Sequence, residues 1–234
     1  KFNVDTMRME TTDFMAVLFN PVAQAKFVHT VSAGYVCGSV FVLAISAMYM
    51  LRGKYKELAI RSMTVAASFG LASALCVVVL GDESGYTAGQ NQKMKIAAIE
   101  AMWQTEPAPA SFTLFGLPNL AEHKTEYAVQ IPWVLGLIAT RSSDTPVPGI
   151  QELVSDAQQR IGDGLIAYKT LLQVRKDPKN AVLRAQLDSH VSNLGYALLL
   201  KKIRPDIENA TSQEIGTAAA STIPNVPVLF WSFR

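Results

Sequence analysis

The sequence predicts an all-α, polytopic helical membrane protein with a long, mainly helical extramembrane loop. Three observations predict it: two almost uncharged runs of membrane-spanning length, a short basic turn between them, and an abrupt change of composition after residue 80. Half of the 234 residues are hydrophobic and 17% are charged, an apolar balance for a water-soluble chain. The average conceals a split. Residues 27–80 are apolar apart from the basic turn, and residues 81–224 read like water-soluble protein.

Residues 1–26 form a lead-in. Phe27–Leu51 is long enough to cross the hydrocarbon core, which takes roughly 20 apolar residues, and His29 stands near its start. Residues 52–61, "RGKYKELAIR", carry Arg52, Lys54, Lys56 and Arg61 against a single Glu57. Positive charge in a short loop marks the cytoplasmic side. Ser62–Leu80, "SMTVAASFGLASALCVVVL", is a second span without formal charge. The two spans therefore make a hairpin with a cytoplasmic turn, and His29 and everything after Leu80 lie toward the outside. Both spans are rich in small residues, among them Ser32, Gly34, Gly38, Ser46, Ala66 and Gly70. Small faces permit close helix packing, and a planar cofactor between helices requires the same faces.

The external segment, residues 81–224, opens with "GDESGY", which puts Asp82 and Glu83 at the mouth of the second span. "NQKMKIAAIEAMWQ" has the period of a short amphipathic helix with Ile96, Ile99 and Trp103 on one side. "EPAPASFTLFGLPN" is a proline-punctuated extended stretch. Helical periodicity resumes at Pro148 and runs to Asp177, and a second helix covers residues 180–203. "TSQE" has the pattern of a capping box that opens a third. Residues 225–234 read as the start of another membrane helix. With its beginning at Lys1, this apolar end suggests a section of a longer polytopic protein.

Several function classes lack support. A net charge of +2 with no basic stripe argues against nucleic acid. There is no G-x-S-x-G, P-loop, GxGxxG or C-x-x-C. Cys37 and Cys76 lie inside the apolar runs and read as small packing residues. His123 and His190 stand in charged, external surroundings and read as solvated. His29 is different, because an ionisable side chain at membrane depth needs a partner. Haem or metal ligation, proton relay and a hydrogen-bonded structural role all remain open on spacing alone. Lys95 and Glu100 lie about 140° apart around a helix and need not pair.

Taken together, "NPVAQAKFVHT", "RSMTVAASFG", "VVLGDESGY", "KIAAIEAMWQTEPAPASFTLFG", "IATRSSDTPVPG", "LGYALLLKK" and "VLFWSFR" resemble subunit I of the cytochrome bd quinol oxidases, in family order and across the whole chain. The resemblance implies that His29 is an axial iron ligand of the low-spin haem b558, whose second ligand is a methionine beyond Arg234. It implies that Arg234 sits by the same haem, that residues 81–224 are the periplasmic Q loop, and that Lys95 and Glu100 bind and oxidise quinol. Haem b595 and haem d, which reduce oxygen to water, take their ligands from outside this stretch. The resemblance further implies ubiquinol or menaquinol as substrate and the bacterial inner membrane as the setting. The partners are subunit II, with room for small accessory subunits. Asp82 and Glu83 are placed, by position, for proton exit. The competing readings are a non-catalytic, membrane-anchored interaction domain and a transporter section with His29 as proton relay.

Overall fold

The computed structural model describes residues 2, 3, 6 and 8–234. The chain divides into two compact units, Asp13–Asn91 and a second made of Gln92–Arg234 with Lys1–Thr12.

The first unit is a helical hairpin. A short helix α1, Phe14–Leu18, is capped by Asp13, whose side chain accepts from the amides of Met15 and Ala16. Helix α2, Pro21–Leu51, begins with Asn20 accepting from Val22 and Ala23 and with proline in its first turn, where the missing N–H costs nothing. The basic turn follows, with Gly53 in a left-handed conformation at φ 69°. Helix α3 then runs from Lys56 to Asn91. Both helices are long and apolar enough to cross a membrane, and only 17% and 11% of their most apolar windows are buried within the chain. Such low burial is wrong for the core helices of a soluble protein and right for lipid or helix neighbours.

The contact between α2 and α3 is built on small residues at seven-residue spacing: Ser32, Ser39 and Ser46 on one helix, Ala59, Ala66 and Ser73 on the other, all buried. Gly70 marks the closest approach, since a Cβ there would fall 2.8 Å from Ser39 Cβ. Hydroxyls inside the hairpin turn back on their own helix; Ser39 donates to the Tyr35 carbonyl at 2.8 Å and Ser68 to Thr64 at 2.9 Å. Gly34 and Gly38 take no part in this contact, for a Cβ at either would meet nothing within 4 Å. Helix α3 also outruns the apolar span. Its last turns, residues 81–91, stay helical although their composition is already polar, so the fall in hydropathy marks the end of the span and not of the helix.

The second unit is mainly helical, as expected, with one β-hairpin that the sequence reading did not contain. Helix α4, Lys93–Ile99, ends at Glu100, and Ala101 turns the chain away at φ 48°; the expected continuation to Trp103 is absent. The extended stretch is a true strand, β3, Phe112–Asn119, paired antiparallel with β4, Lys124–Ile131, with two register shifts. A two-residue pairing, β1 Phe2–Asn3 with β2 Arg8–Met9, also belongs to this unit. Helices α5, Val134–Thr140, and α6, Ile150–Lys176, follow. The helix expected over 180–203 divides into α7, Ala181–His190, and a 3₁₀ helix, Val191–Lys202. The change occurs where His190 and Asn193 both bind the carboxylate of Asp163 on α6. Helix α8, Ser212–Ala220, carries the expected capping box between Thr211 and Glu214. Helix α9, Val226–Ser232, is capped by Asn225.

One core joins Ala97, Ala98, Met102 and Trp103 to Leu135, Ile150, Val226 and Phe230. This core sets the end of α4 against α9 and the start of β3. Ile161, Leu200 and Ala218 anchor a second cluster that packs α6, the 3₁₀ helix and α8.

Candidate functional site

In the membrane hairpin, His29 sits on the third turn of α2 and its ring packs on Gly81 of α3. A Cβ at Gly81 would lie 3.4 Å from His29 Cε1, an ordinary contact distance, so the two helices bring the ring alongside this residue. The Nδ1 atom is buried and has no hydrogen-bond partner among the described residues. A purely structural histidine would spend its ring nitrogens on protein partners; this one does not. No group of three His, Cys, Asp or Glu side chains gathers around a metal position among the described residues, which leaves a zinc cluster without donors. An axial haem ligand, by contrast, needs one imidazole per helix and flat space alongside. The open faces at Gly34 and Gly38 line a groove of about 650 Å³ together with Tyr35, Ser39 and Phe69; His29 itself lies outside its lining. The residues present fit a haem ligand set. Asp82 and Glu83 are exposed on α3 immediately after Gly81.

In the second unit, the end of α4 meets the end of α9. Glu100 is 4% exposed. Its Oε2 accepts from the Thr113 amide at 3.1 Å and from Arg234 Nη2 at 2.8 Å. Arg234 also donates from Nε to the Thr113 carbonyl at 2.8 Å, from Nη1 to the Ile99 carbonyl at 2.7 Å, and from Nη2 to Thr113 again. Its guanidinium lies 4.2 Å from the Phe230 ring centroid and 5.1 Å from that of Phe112. Lys95, half-buried one turn earlier on α4, places Nζ 5.9 Å from the centroid of Phe233. Lys95 and Glu100 therefore do not answer each other. Each meets one of the last two residues of the chain.

Burial pushes the Glu100 carboxyl above the ordinary glutamate range, and nearby Glu106 pushes the same way. Arg234 and the Thr113 amide pull it back without cancelling the desolvation. The result is an acid–base group with a raised proton affinity, placed beside a cation.

The sequence reading had put Arg234 with His29 and had not joined it to Glu100. Thr113, Phe112 and Phe230 were not singled out at all, because backbone groups and aromatic packing leave no motif. The signal available was the pair of aromatic-rich stretches "SFTLFG" and "VLFWSFR". Of the other two histidines, His123 is exposed as expected and His190 is half-buried. His123 stacks on Trp103 with centroids 4.8 Å apart, and His190 is bound to Asp163.

The family described as cytochrome bd terminal oxidase subunit I matches residues 1–234. Cytochrome bd-II ubiquinol oxidase subunit 1 of Escherichia coli (strain K12) is 40% identical over 233 residues, which is 100% of this chain and 45% of that protein. Cytochrome bd ubiquinol oxidase subunit 1 of Bacillus subtilis (strain 168) is 26% identical over 163 residues, 70% of this chain and 35% of its own length. The chain thus spans less than half the length of these relatives. Among solved structures, the bd oxidase from Geobacillus thermodenitrificans shares the fold, with a TM-score of 0.56 at 19% identity over 99% of this chain and 60% of that one.

Proposed function

The chain belongs to the cytochrome bd terminal oxidase subunit I family, and on that premise we propose that it is the quinol-oxidising, haem-ligating section of a respiratory terminal oxidase. In this reading residues 81–224 are the periplasmic Q loop and the protein lies in the bacterial inner membrane with subunit II. Ubiquinol or menaquinol is the electron donor, and oxygen is reduced to water at the haem b595 and haem d pair held by other parts of the subunit.

The observation that carries the reading is the buried carboxyl of Glu100 with its raised proton affinity, one helical turn from Lys95. Quinol oxidation releases two protons and two electrons. A carboxylate with proton affinity above the ordinary range is matched to taking a phenolic proton near neutral pH. Lys95 donates a hydrogen bond to a quinol oxygen and favours the negative charge that grows there as the proton leaves. Phe233, whose ring centroid lies 5.9 Å from Lys95 Nζ, is exposed and presents an apolar face to a ring substrate. Asp82 and Glu83, exposed at the outer end of α3, pass protons to bulk water.

His29 would hold the low-spin haem b558 through a ring nitrogen, with a methionine beyond Arg234 as the second ligand. Bound there, the haem supplies a one-electron acceptor on the side where quinol is oxidised.

The test compares two variants of the complete oxidase. His29→Leu is expected to abolish the low-spin b-type band of the reduced-minus-oxidised spectrum and, with it, quinol oxidase activity. Glu100→Leu is expected to leave that band in place and cut quinol turnover by at least about 100-fold, the usual scale of a lost general base. A low-spin band that survives in His29→Leu, or unchanged turnover in Glu100→Leu, overturns the corresponding assignment. An anchor domain without catalysis would lose neither signal.

A further inference from the structure

We propose that Arg234 is a positioning residue for quinol oxidation: it pins one oxygen of the Glu100 carboxylate and so leaves the other, Oε1, as the atom that receives the substrate proton. The inference rests on the reading of Glu100 given above.

Both hydrogen bonds to Glu100 fall on Oε2, one from Thr113 and one from Arg234. Oε1 takes none from the described residues, and it is not among the sealed, unpartnered polar atoms. Thr113 closes the ring, because its amide serves Glu100 while its carbonyl accepts from Arg234. The carboxylate is thereby held against rotation by a donor on each side of one oxygen. Arg234 also grips the Ile99 carbonyl, the last residue of α4, so it fixes the helix end from which Glu100 projects. Four hydrogen bonds leave from one guanidinium, and a planar fork with fixed donor directions is the only side chain that makes them together. The rings of Phe230 and Phe112 flank the plane. The Arg234 side chain is 8% exposed, so its charge acts on Glu100 with little screening.

Arg234 therefore has two effects on the carboxylate. It favours the ionised form, which is the proton-accepting one, and it selects which oxygen accepts. Without it, the buried Glu100 keeps one amide as its only donor and holds its proton to higher pH.

The experiment uses the complete oxidase and compares wild type, Arg234→Gln, Arg234→Lys, Glu100→Gln and the Arg234→Gln/Glu100→Gln double variant. Two readouts are taken: the pH profile of quinol kcat/KM, and the pH titration of the Glu100 carboxyl band in infrared difference spectra, identified by its loss in Glu100→Gln. Arg234→Gln is expected to move both the acid limb and the band titration upward by about 1–3 pH units, the span an adjacent arginine confers. In the Glu100→Gln background, Arg234→Gln is expected to change turnover by no more than about twofold, since nothing remains to position. Arg234→Lys keeps the charge and loses the fork, and is expected to shift both readouts in the same direction by less. That variant carries the test if Arg234→Gln does not assemble. An unmoved infrared titration, or an equal loss of turnover with and without Glu100, overturns the proposal. If Glu100→Gln leaves quinol oxidation unchanged, the reading of Glu100 falls, and the infrared arm still decides whether Arg234 governs its proton.

Discussion

The two units solve the same problem, holding helices together, by opposite means. The membrane hairpin packs through Ser32, Ser39, Ser46, Ala59, Ala66 and Ser73, and its hydroxyls bond within their own helix. The external unit uses caps, a buried Glu100–Arg234 pair and close backbone contacts between distant segments. In lipid, every helix already satisfies its own backbone, and apolar surface gains nothing by leaving lipid for protein. Contact area and small size decide. In water, apolar burial drives collapse, and the polar groups carried inside must then each find a partner. Glycine permits close approach in both units, but of different partners: Gly70 meets a side chain, that of Ser39, across the hairpin. At Gly34 and Gly38 it leaves a face open, and at Gly149 and Gly164 it lets two backbones touch.

That contrast yields the largest expected effect. At Gly149 a Cβ would overlap the backbone of Gln104 and Thr105, and at Gly164 it would overlap the Asn193 carbonyl. Backbone cannot rotate aside as a side chain can. Gly149→Ala is expected to destabilise the external unit by about 3 kcal/mol, the upper end of ordinary overpacking. It should appear as faster proteolysis of residues 92–224 in the complete protein. Gly34→Ala meets nothing within 4 Å and should leave the α2–α3 contact unchanged. Equal sensitivity at the two positions would break the comparison between the units.

The same contrast explains what the sequence made legible. Hydropathy made two long apolar helices legible, because lipid imposes one rule along a whole segment, although both helices run beyond the apolar runs. Local chemistry placed the capping box at Thr211 and helix α6. It did not place the hairpin β3–β4, whose strand "FTLFGLPN" has no clean alternation and a proline inside. The register there is set by partners across the turn. Nor could it join Arg234 to Glu100, which are separated by 134 residues. The site residues themselves were named through the family resemblance, and spacing alone had left His29 with three roles. Long-range pairing is a property of the folded core, here the packing of Val226 and Phe230 on Ala97 and Ala98, and no window of sequence contains it.

A smaller effect sharpens the comparison at a helix end. Thr211 Oγ1 accepts from the Glu214 amide, Glu214 Oε2 accepts from the Thr211 amide at 2.7 Å, and Arg204 pairs with the same carboxylate at 3.0 Å. Thr211→Ala removes half of this box. A loss of about 1 kcal/mol is expected, confined to α8 and read as faster amide hydrogen exchange over residues 212–220. Membrane helix α2 carries a cap at Asn20, yet it continues for 31 residues. Asn20→Ala should fray its first turn without changing exchange farther along. If the external cap proves no more important than the membrane one, local capping does not distinguish the two environments.

The smallest effect concerns Asp163, which joins α6 to the bend between α7 and the 3₁₀ helix. Asn193 donates to it at 2.7 Å and His190 binds its other oxygen. These bonds, Asn193 first, hold its carboxyl below the ordinary aspartate range. A depressed folded-state value means that the stabilisation is complete above the unfolded value of about 4. It is lost as pH falls through the lower folded value, when the carboxylate takes a proton. Amides of residues 191–202 should therefore exchange faster, relative to the rest of the unit, below about pH 4. In Asp163→Asn that acid-induced change should vanish, because nothing at the position then titrates. The side chain is 29% exposed, so solvent screens the interaction and the step is expected to be small. The membrane hairpin gives the reference: its inter-helix contact is made by serine and alanine, and acid in the same range should leave it untouched. An acid-dependent opening of both units would mean that ion pairs beyond those described here hold the hairpin as well.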